Sequence, residues 1–202
     1  MRPEDYYESV VSKWEEQYPS TGSMQGVWDF YIESGYLDPE ASLIQLFEGV
    51  HWSKKRLLDL GCDTGFMLNF LCESFPGIEG YGVDINRSSI GKAKSLFPKH
   101  KFETFDGVAL PFPDRYFDVV FVSAVVKHIR YEDRQQFYQE ITRVSDSVVF
   151  IEVDSKQQKT ESKQNWVFYL SHFEEEFRSN FKEISVTHEG GDILGYYRTN
   201  PY

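Results

Sequence analysis

Asp59, Gly61, Asp63 and Gly65 fall within Leu57 to Leu68, LLDLGCDTGFML, where an apolar run breaks into a glycine turn and then an amphipathic stretch. A turn of that kind between a strand and a helix sets backbone against a ligand at the strand's carboxyl end, with Gly61 and Gly65 as the positions of closest approach. Asp84 closes the next apolar run, YGVDIN, about 20 residues beyond the turn, where a carboxylate accepts both ribose hydroxyl protons. Dinucleotide-binding dehydrogenases share both features, so the charges around the turn must choose the ligand. They are negative: Asp59 precedes the turn, Asp63 lies inside it, and no Lys or Arg stands between Leu57 and Leu71. A pyrophosphate there would face uncompensated carboxylates, and the G-x-G-x-x-G spacing is missing, so a ligand bearing positive charge is the better match.

These residues need a sheet to hold them. From Arg56 the chain alternates apolar runs with amphipathic stretches, RLLDL, FMLNFLCESF, IEGYGVDI, RSSIGKAKSLF and KFETF, a βαβαβ pattern. FDVVFVS and SVVFIEV, separated by the helical YEDRQQFYQEITRV, are continuous apolar runs of the sort that parallel strands buried on both faces produce. After the polar SKQQKTESKQN comes the amphipathic WVFYLSHFEEEF, where Ser171 and Glu174 have capping-box spacing. KEISVTHEG and ILGYYRTN, linked through Gly190-Gly191-Asp192, read as an antiparallel hairpin. The first fifty residues are rich in aromatic side chains and predict two cap helices. One carries Tyr7, Val10, Val11 and Trp14 at helical spacing; the other opens with Asp38-Pro39 before ASLIQLF. The expectation is a single domain over 1–202, with a helical cap over 1–50 and a Rossmann-like core over 51–202.

S-adenosylmethionine, with an ammonium and a sulfonium beside its carboxylate, meets the charge requirement. Over Arg56 to Val153 the sequence resembles the class I methyltransferases, in particular the small-molecule group that includes the ubiquinone and menaquinone biosynthesis enzymes. LDLGCDTG is similar to the family's glycine motif and GVDIN to its ribose motif. TFDGVALPFPDRYFDVVFVSAVVKHI is similar to the segment from the adenine site through the fourth strand. The resemblance implies an α/β fold: a seven-stranded mixed sheet in the order 3-2-1-4-5-7-6, strand seven antiparallel, with helices on both faces. It implies S-adenosylmethionine as cofactor and S-adenosylhomocysteine as product. It assigns Asp59, Gly61, Cys62, Asp63 and Gly65 to the methionine part, Asp84 and Ile85 to the ribose, Asp106 and Gly107 to the adenine edge, and Ser123 to a place beside the cofactor. Asp63 departs from the family, which has glycine there, and its backbone is expected to be left-handed, a conformation Asp tolerates better than most residues.

The implied reaction is methyl transfer to an oxygen, nitrogen or carbon of a small molecule. His128, after the fourth strand, is the candidate general base, against a purely structural role. The acceptor is expected between the cap and the Ser155 to Tyr169 segment. Tyr7, Tyr18, Trp28, Trp166 and Tyr169 are the candidate contacts, set against the alternative that these aromatic residues simply pack. Asn200-Pro201-Tyr202 resembles the Asn-Pro-Pro-Tyr motif of nucleic-acid amino-methyltransferases, but that motif belongs after the fourth strand, where this chain has SAVV. Ser123 stands where catechol-type enzymes place an acidic metal ligand, so no catalytic metal is expected. Two other readings stay open: a non-catalytic binding or interaction module, and a nicotinamide-dependent oxidoreductase.

Composition agrees with this picture. The 202 residues, 41% hydrophobic and 17% aromatic, suit one globular core. A formal charge of -11 works against nucleic acid and anionic membranes as partners. Lys92, Lys94, Lys99 and Lys101 read as a solvated surface. Cys62 and Cys72 form no disulfide framework or zinc site, no apolar leader or membrane-length span occurs, and a cytoplasmic monomer or homodimer is expected.

Overall fold

The computed structural model describes residues 2, 5–11, 22–48, 50, 55–153 and 169–199. Seven strands form one sheet in the order β3-β2-β1-β4-β5-β7-β6. They are β1 (Arg56–Leu60), β2 (Glu79–Asp84), β3 (Lys101–Thr104), β4 (Val119–Ser123), β5 (Ser147–Val153), β6 (Lys182–Glu189) and β7 (Asp192–Arg198). β1 to β5 pair in parallel, and β7 runs antiparallel to both β5 and β6, as the hairpin through Gly190-Gly191 requires.

Alternation along the central strands divides the core into two faces. Leu58, Leu60, Val120 and Val122 point to one, with Phe137 and Ile141 of α6 (Arg134–Val144) and Phe173 and Phe177 of α7 (Phe173–Asn180). Leu57, Val119 and Phe121 point to the other, against Leu68 and Leu71 of α4 (Phe66–Ser74) and Ile90 and Ala93 of α5 (Arg87–Leu96). By the same period of two, Asp59 and Ser123 belong to the face that α4 covers.

The cap splits between these faces. Helical residues 5–11, here α1, place Tyr7 and Val10 in the first cluster, whereas α2 (Met24–Glu33) and α3 (Pro39–Glu48) place Trp28, Tyr31 and Phe47 in the second. Among the described residues three helical segments thus stand where the sequence predicts two; the additional one is α2, whose N-cap Ser23 accepts the Gly26 N–H at 3.1 Å. Asp38 caps α3 as expected, its carboxylate accepting the Ala41 N–H at 3.0 Å.

A second correction concerns α7. The predicted Ser171–Glu174 capping box does not form: the helix begins at Phe173 with His172 as N-cap, and Glu174 instead pairs with Arg178 at 2.9 Å and His188 at 3.2 Å. Residues 169–172 are not helical because the Tyr169 N–H donates to the Lys127 carbonyl at 2.6 Å, while the Tyr169 carbonyl accepts from the Arg134 guanidinium. Tyr18, Trp166 and the Asn200-Pro201-Tyr202 triplet lie outside the described residues. No helix among the described residues is long and apolar enough to cross a membrane.

Candidate functional site

β1 stops at Leu60 and the chain turns through Gly61, Asp63 and Gly65, all left-handed with φ of 86°, 43° and 81°, before α4 begins. Gly61 has a second constraint, because a Cβ there would lie 2.4 Å from Cγ2 of Val125 in the segment after β4. The glycine therefore lets the turn lie against the protein's own neighbouring segment, in addition to any ligand. Asp63 adopts the left-handed backbone expected of it. Its Oδ1 accepts the Ser89 hydroxyl of α5 at 2.7 Å, and its N–H donates to Asp84 Oδ2 at 2.9 Å.

Asp84 is thus tied into the turn. Its other oxygen accepts the Asn86 N–H at 2.8 Å, and each oxygen retains a second lone pair for an incoming hydroxyl. Burial, only partly offset by these two N–H donors, pushes the Asp84 carboxyl up to about 6.

Asp59 is buried, 3% exposed, and its Oδ2 has no hydrogen-bond partner among the described residues. Burial, then the nearby charges of Asp84 and Asp63, push its carboxyl up to about 8, against the opposing Leu68 N–H at the start of α4. An orphaned buried carboxylate oxygen is expensive unless a cation or donor completes it. Cys62 turns inward, buried against β2, and its thiol is pushed well above its ordinary value by burial and by Asp59.

Past β3, Asp106 Oδ1 accepts the N–H groups of Val108 and Ala109 at 2.8 and 3.0 Å, which folds the chain back. Gly107 lies on the ring of Tyr7, close enough that a Cβ would come within 2.9 Å of it. The Tyr7 hydroxyl donates to Asp133 at 3.0 Å, which fastens α1 to the start of α6. Ile85 is half-buried and packs on the same cluster as Tyr7.

On the α4 side, the buried Tyr31 hydroxyl meets Ser123 Oγ at 2.6 Å, joining α2 to the carboxyl end of β4. Tyr36, edge-on to Tyr31 at 4.9 Å, donates to Asp192 at 2.9 Å. Glu152, buried at the end of β5, accepts the Val126 N–H at 2.7 Å and lies 4.0 Å from the Lys127 ammonium. Trp28 packs edge-on to Phe70 of α4 at 5.0 Å. His128 ends a 3-10 turn, Val126–His128, and is half-buried. The Tyr169 hydroxyl meets that of Tyr6 at 3.1 Å, and the Arg130 guanidinium lies 4.5 Å from the Tyr6 ring centroid. Tyr36 is the residue here that the sequence did not single out; Tyr31, three positions after Trp28, is one of the aromatic cap residues legible in the sequence.

The turn, Asp59, Asp84, Asp106 and Ser123 thus occupy one edge of the sheet, at the carboxyl ends of β1 to β4. Among the described residues no group of His, Cys, Asp or Glu is arranged to hold a metal ion.

Residues 58–149 match a family model described as a methyltransferase domain. The chain is 24% identical over 152 residues to norajmaline N-methyltransferase of Rauvolfia serpentina, covering 61% of this chain and 51% of that protein. It is 24% identical over 170 residues to the chloroplastic tocopherol O-methyltransferase of Arabidopsis thaliana, covering 70% and 45%. The chain thus spans about half the length of these curated relatives. Its fold is that of an S-adenosylmethionine-dependent methyltransferase from Aquifex aeolicus, with a TM-score of 0.63 over 98% of each chain at 18% identity.

Proposed function

We propose that the chain is a class I, S-adenosylmethionine-dependent methyltransferase that transfers a methyl group to an oxygen, nitrogen or carbon of a small molecule. The observation that carries the assignment of the donor is the unpartnered, buried Oδ2 of Asp59 beneath a turn free of Lys and Arg. That oxygen fits an ammonium, and the donor set has nothing to neutralise a pyrophosphate. The cofactor, when bound, supplies an electrophilic methyl on a sulfonium centre.

The chain's own residues then hold and orient. Asp59 and the backbone of Gly61, Cys62, Asp63 and Gly65 take the methionine end. Asp84 receives the ribose hydroxyls on its free lone pairs, with Ile85 against the sugar. Asp106 and Gly107 meet the adenine edge. Ser123, fixed by Tyr31, borders the reacting end. Alignment and exclusion of water supply much of the acceleration in such a transfer. The acceptor enters from the cap side, between the Tyr31–Ser123 and Tyr6–Tyr169 pairs, and His128 removes its proton where the acceptor must lose one. Tyr7 and Trp28 act at the margin of that opening, through the packing they make. We place the protein in the cytoplasm, acting without a nucleic-acid partner.

Incubation of the protein with methyl-labelled S-adenosylmethionine and a metabolite extract tests this reading. Label appearing in a small-molecule product supports it. Label confined to nucleic acid or protein would overturn the acceptor class, and cofactor binding with no transfer to any fraction would favour the binding-module reading.

A further inference from the structure

Outside the cofactor turn, an open cavity of about 620 Å³ lies between the outer face of α5 and the chain leaving β3. Arg87, Gly91 and Lys94 of α5 form one wall, Thr104, Phe105 and Pro111 the other, with Ile90 at the base. It shares only Asp106 with the proposed adenine site; neither the glycine turn nor Asp84, Gly107 or Ser123 borders it.

Two features distinguish this cavity from ordinary surface. The first is Gly91, which sits inside α5, where glycine destabilises a helix relative to alanine. No packing requires it: a Cβ at Gly91 would meet no atom within 4 Å, and its backbone φ is not left-handed. The space a side chain would fill is the cavity itself. The second is charge. In a chain of formal charge -11, Arg87 and Lys94 stand one on each side of Gly91 on the same helix face, and neither is paired with a carboxylate among the described residues. The helix terminus beside them is already satisfied, since the Asn86 side chain accepts the N–H groups of Ser88 and Ser89 at 2.8 and 3.1 Å. The cations are therefore the charged donors on offer, and Phe105, Ile90 and Pro111 provide an apolar surface next to them.

We propose that this cavity is a second ligand site, for a small organic anion whose phosphate or carboxylate lies between Arg87 and Lys94 and whose apolar body rests on Phe105, Ile90 and Pro111. Gly91 is the residue that keeps it open. The site stands apart from the cofactor reading, because its residues other than Asp106 take no part in it.

Phenyl phosphate titrated into the full chain, followed by amide NMR shifts, is the test, with inorganic phosphate as the control and S-adenosylhomocysteine titrated separately. Phenyl phosphate should shift amides of 87–94 and 104–111 and bind about tenfold more tightly than inorganic phosphate. Gly91→Leu should keep or raise the melting temperature yet weaken phenyl phosphate about tenfold, and Arg87→Gln with Lys94→Gln should do the same to affinity. S-adenosylhomocysteine binding should stay unchanged in both variants. Equal affinity for phenyl phosphate and inorganic phosphate, or undiminished binding to Gly91→Leu, would overturn the proposal. Loss of S-adenosylhomocysteine binding in these variants would also overturn it, by making the cavity part of the cofactor site. Failure of the wild type to bind S-adenosylhomocysteine would count against the cofactor reading alone.

Discussion

Asp84 at the end of β2 accepts the backbone N–H of Asp63 at 2.9 Å, so the carboxylate expected to hold a ribose also holds the turn expected to hold the methionine end. Its second oxygen is engaged by Asn86 at 2.8 Å. Asp84→Asn replaces one acceptor by an NH₂ facing an N–H, leaving a buried donor unsatisfied. Urea denaturation should show a loss of about 1–3 kcal/mol. S-adenosylhomocysteine affinity should fall at least about tenfold, because the turn and the ribose lose the same anchor.

Gly61 is constrained by Val125 as well as by its backbone. Gly61→Ala should destabilise the fold by roughly 2–5 kcal/mol, combining a left-handed alanine with overpacking against Val125 Cγ2. Adding Val125→Ala removes the clashing methyl, and denaturation of the double variant should recover the overpacking part. Equal stability of single and double variants would contradict this division.

The sheet was legible because its signals are local and repeated. RLLDL, FDVVFVS and SVVFIEV are mostly apolar because β1, β4 and β5 are covered on both faces, and the Gly190-Gly191-Asp192 link sets the β6–β7 reversal. The order of strands is not a local property and came through the family resemblance. α2 is faint in the sequence although Met24, Val27, Trp28 and Tyr31 have helical spacing, since Gly26 and the mixed MQGVWDFYIE run give a weak local signal. The α7 start departs from the capping-box spacing because Glu174 has a tertiary partner, His188 of β6, and an in-helix partner, Arg178. In the site, the acidic and glycine positions could be read one by one. The Tyr31–Ser123 contact could not, because it spans 92 positions and depends on where α2 docks.

Asp63 replaces the family's glycine without leaving its backbone conformation. Asp63→Gly relieves about 1 kcal/mol of left-handed strain and loses the Ser89 hydrogen bond, worth a similar amount. Its stability should stay within about 1 kcal/mol of wild type. Asp63→Ala keeps the strain and loses the bond, and should be the less stable of the two by about 1 kcal/mol in the same denaturation series.

Asp59 links the site to pH. Its folded value of about 8 lies above the ordinary 3.8, so the folded state binds the extra proton between these values. The stability it contributes is full below about pH 4 and is lost as pH rises through about 8. An ammonium beside Asp59 favours the charged carboxylate, so binding should release a proton below pH 8. Titrations at pH 6.5 in buffers of different ionisation enthalpy should show that release, and Asp59→Asn should abolish it. Rising S-adenosylhomocysteine affinity from pH 6 toward pH 8 is the accompanying expectation.

The turn after β1, with Asp59 beneath it and Asp84 behind it, suits a cationic adenosyl donor. Isothermal titration of S-adenosylhomocysteine into the purified chain at pH 8 tests it most directly. Saturable binding at one site per chain is expected, with no saturable binding of a nicotinamide dinucleotide under the same conditions. No binding of S-adenosylhomocysteine, or saturable binding of the dinucleotide in its place, would contradict it.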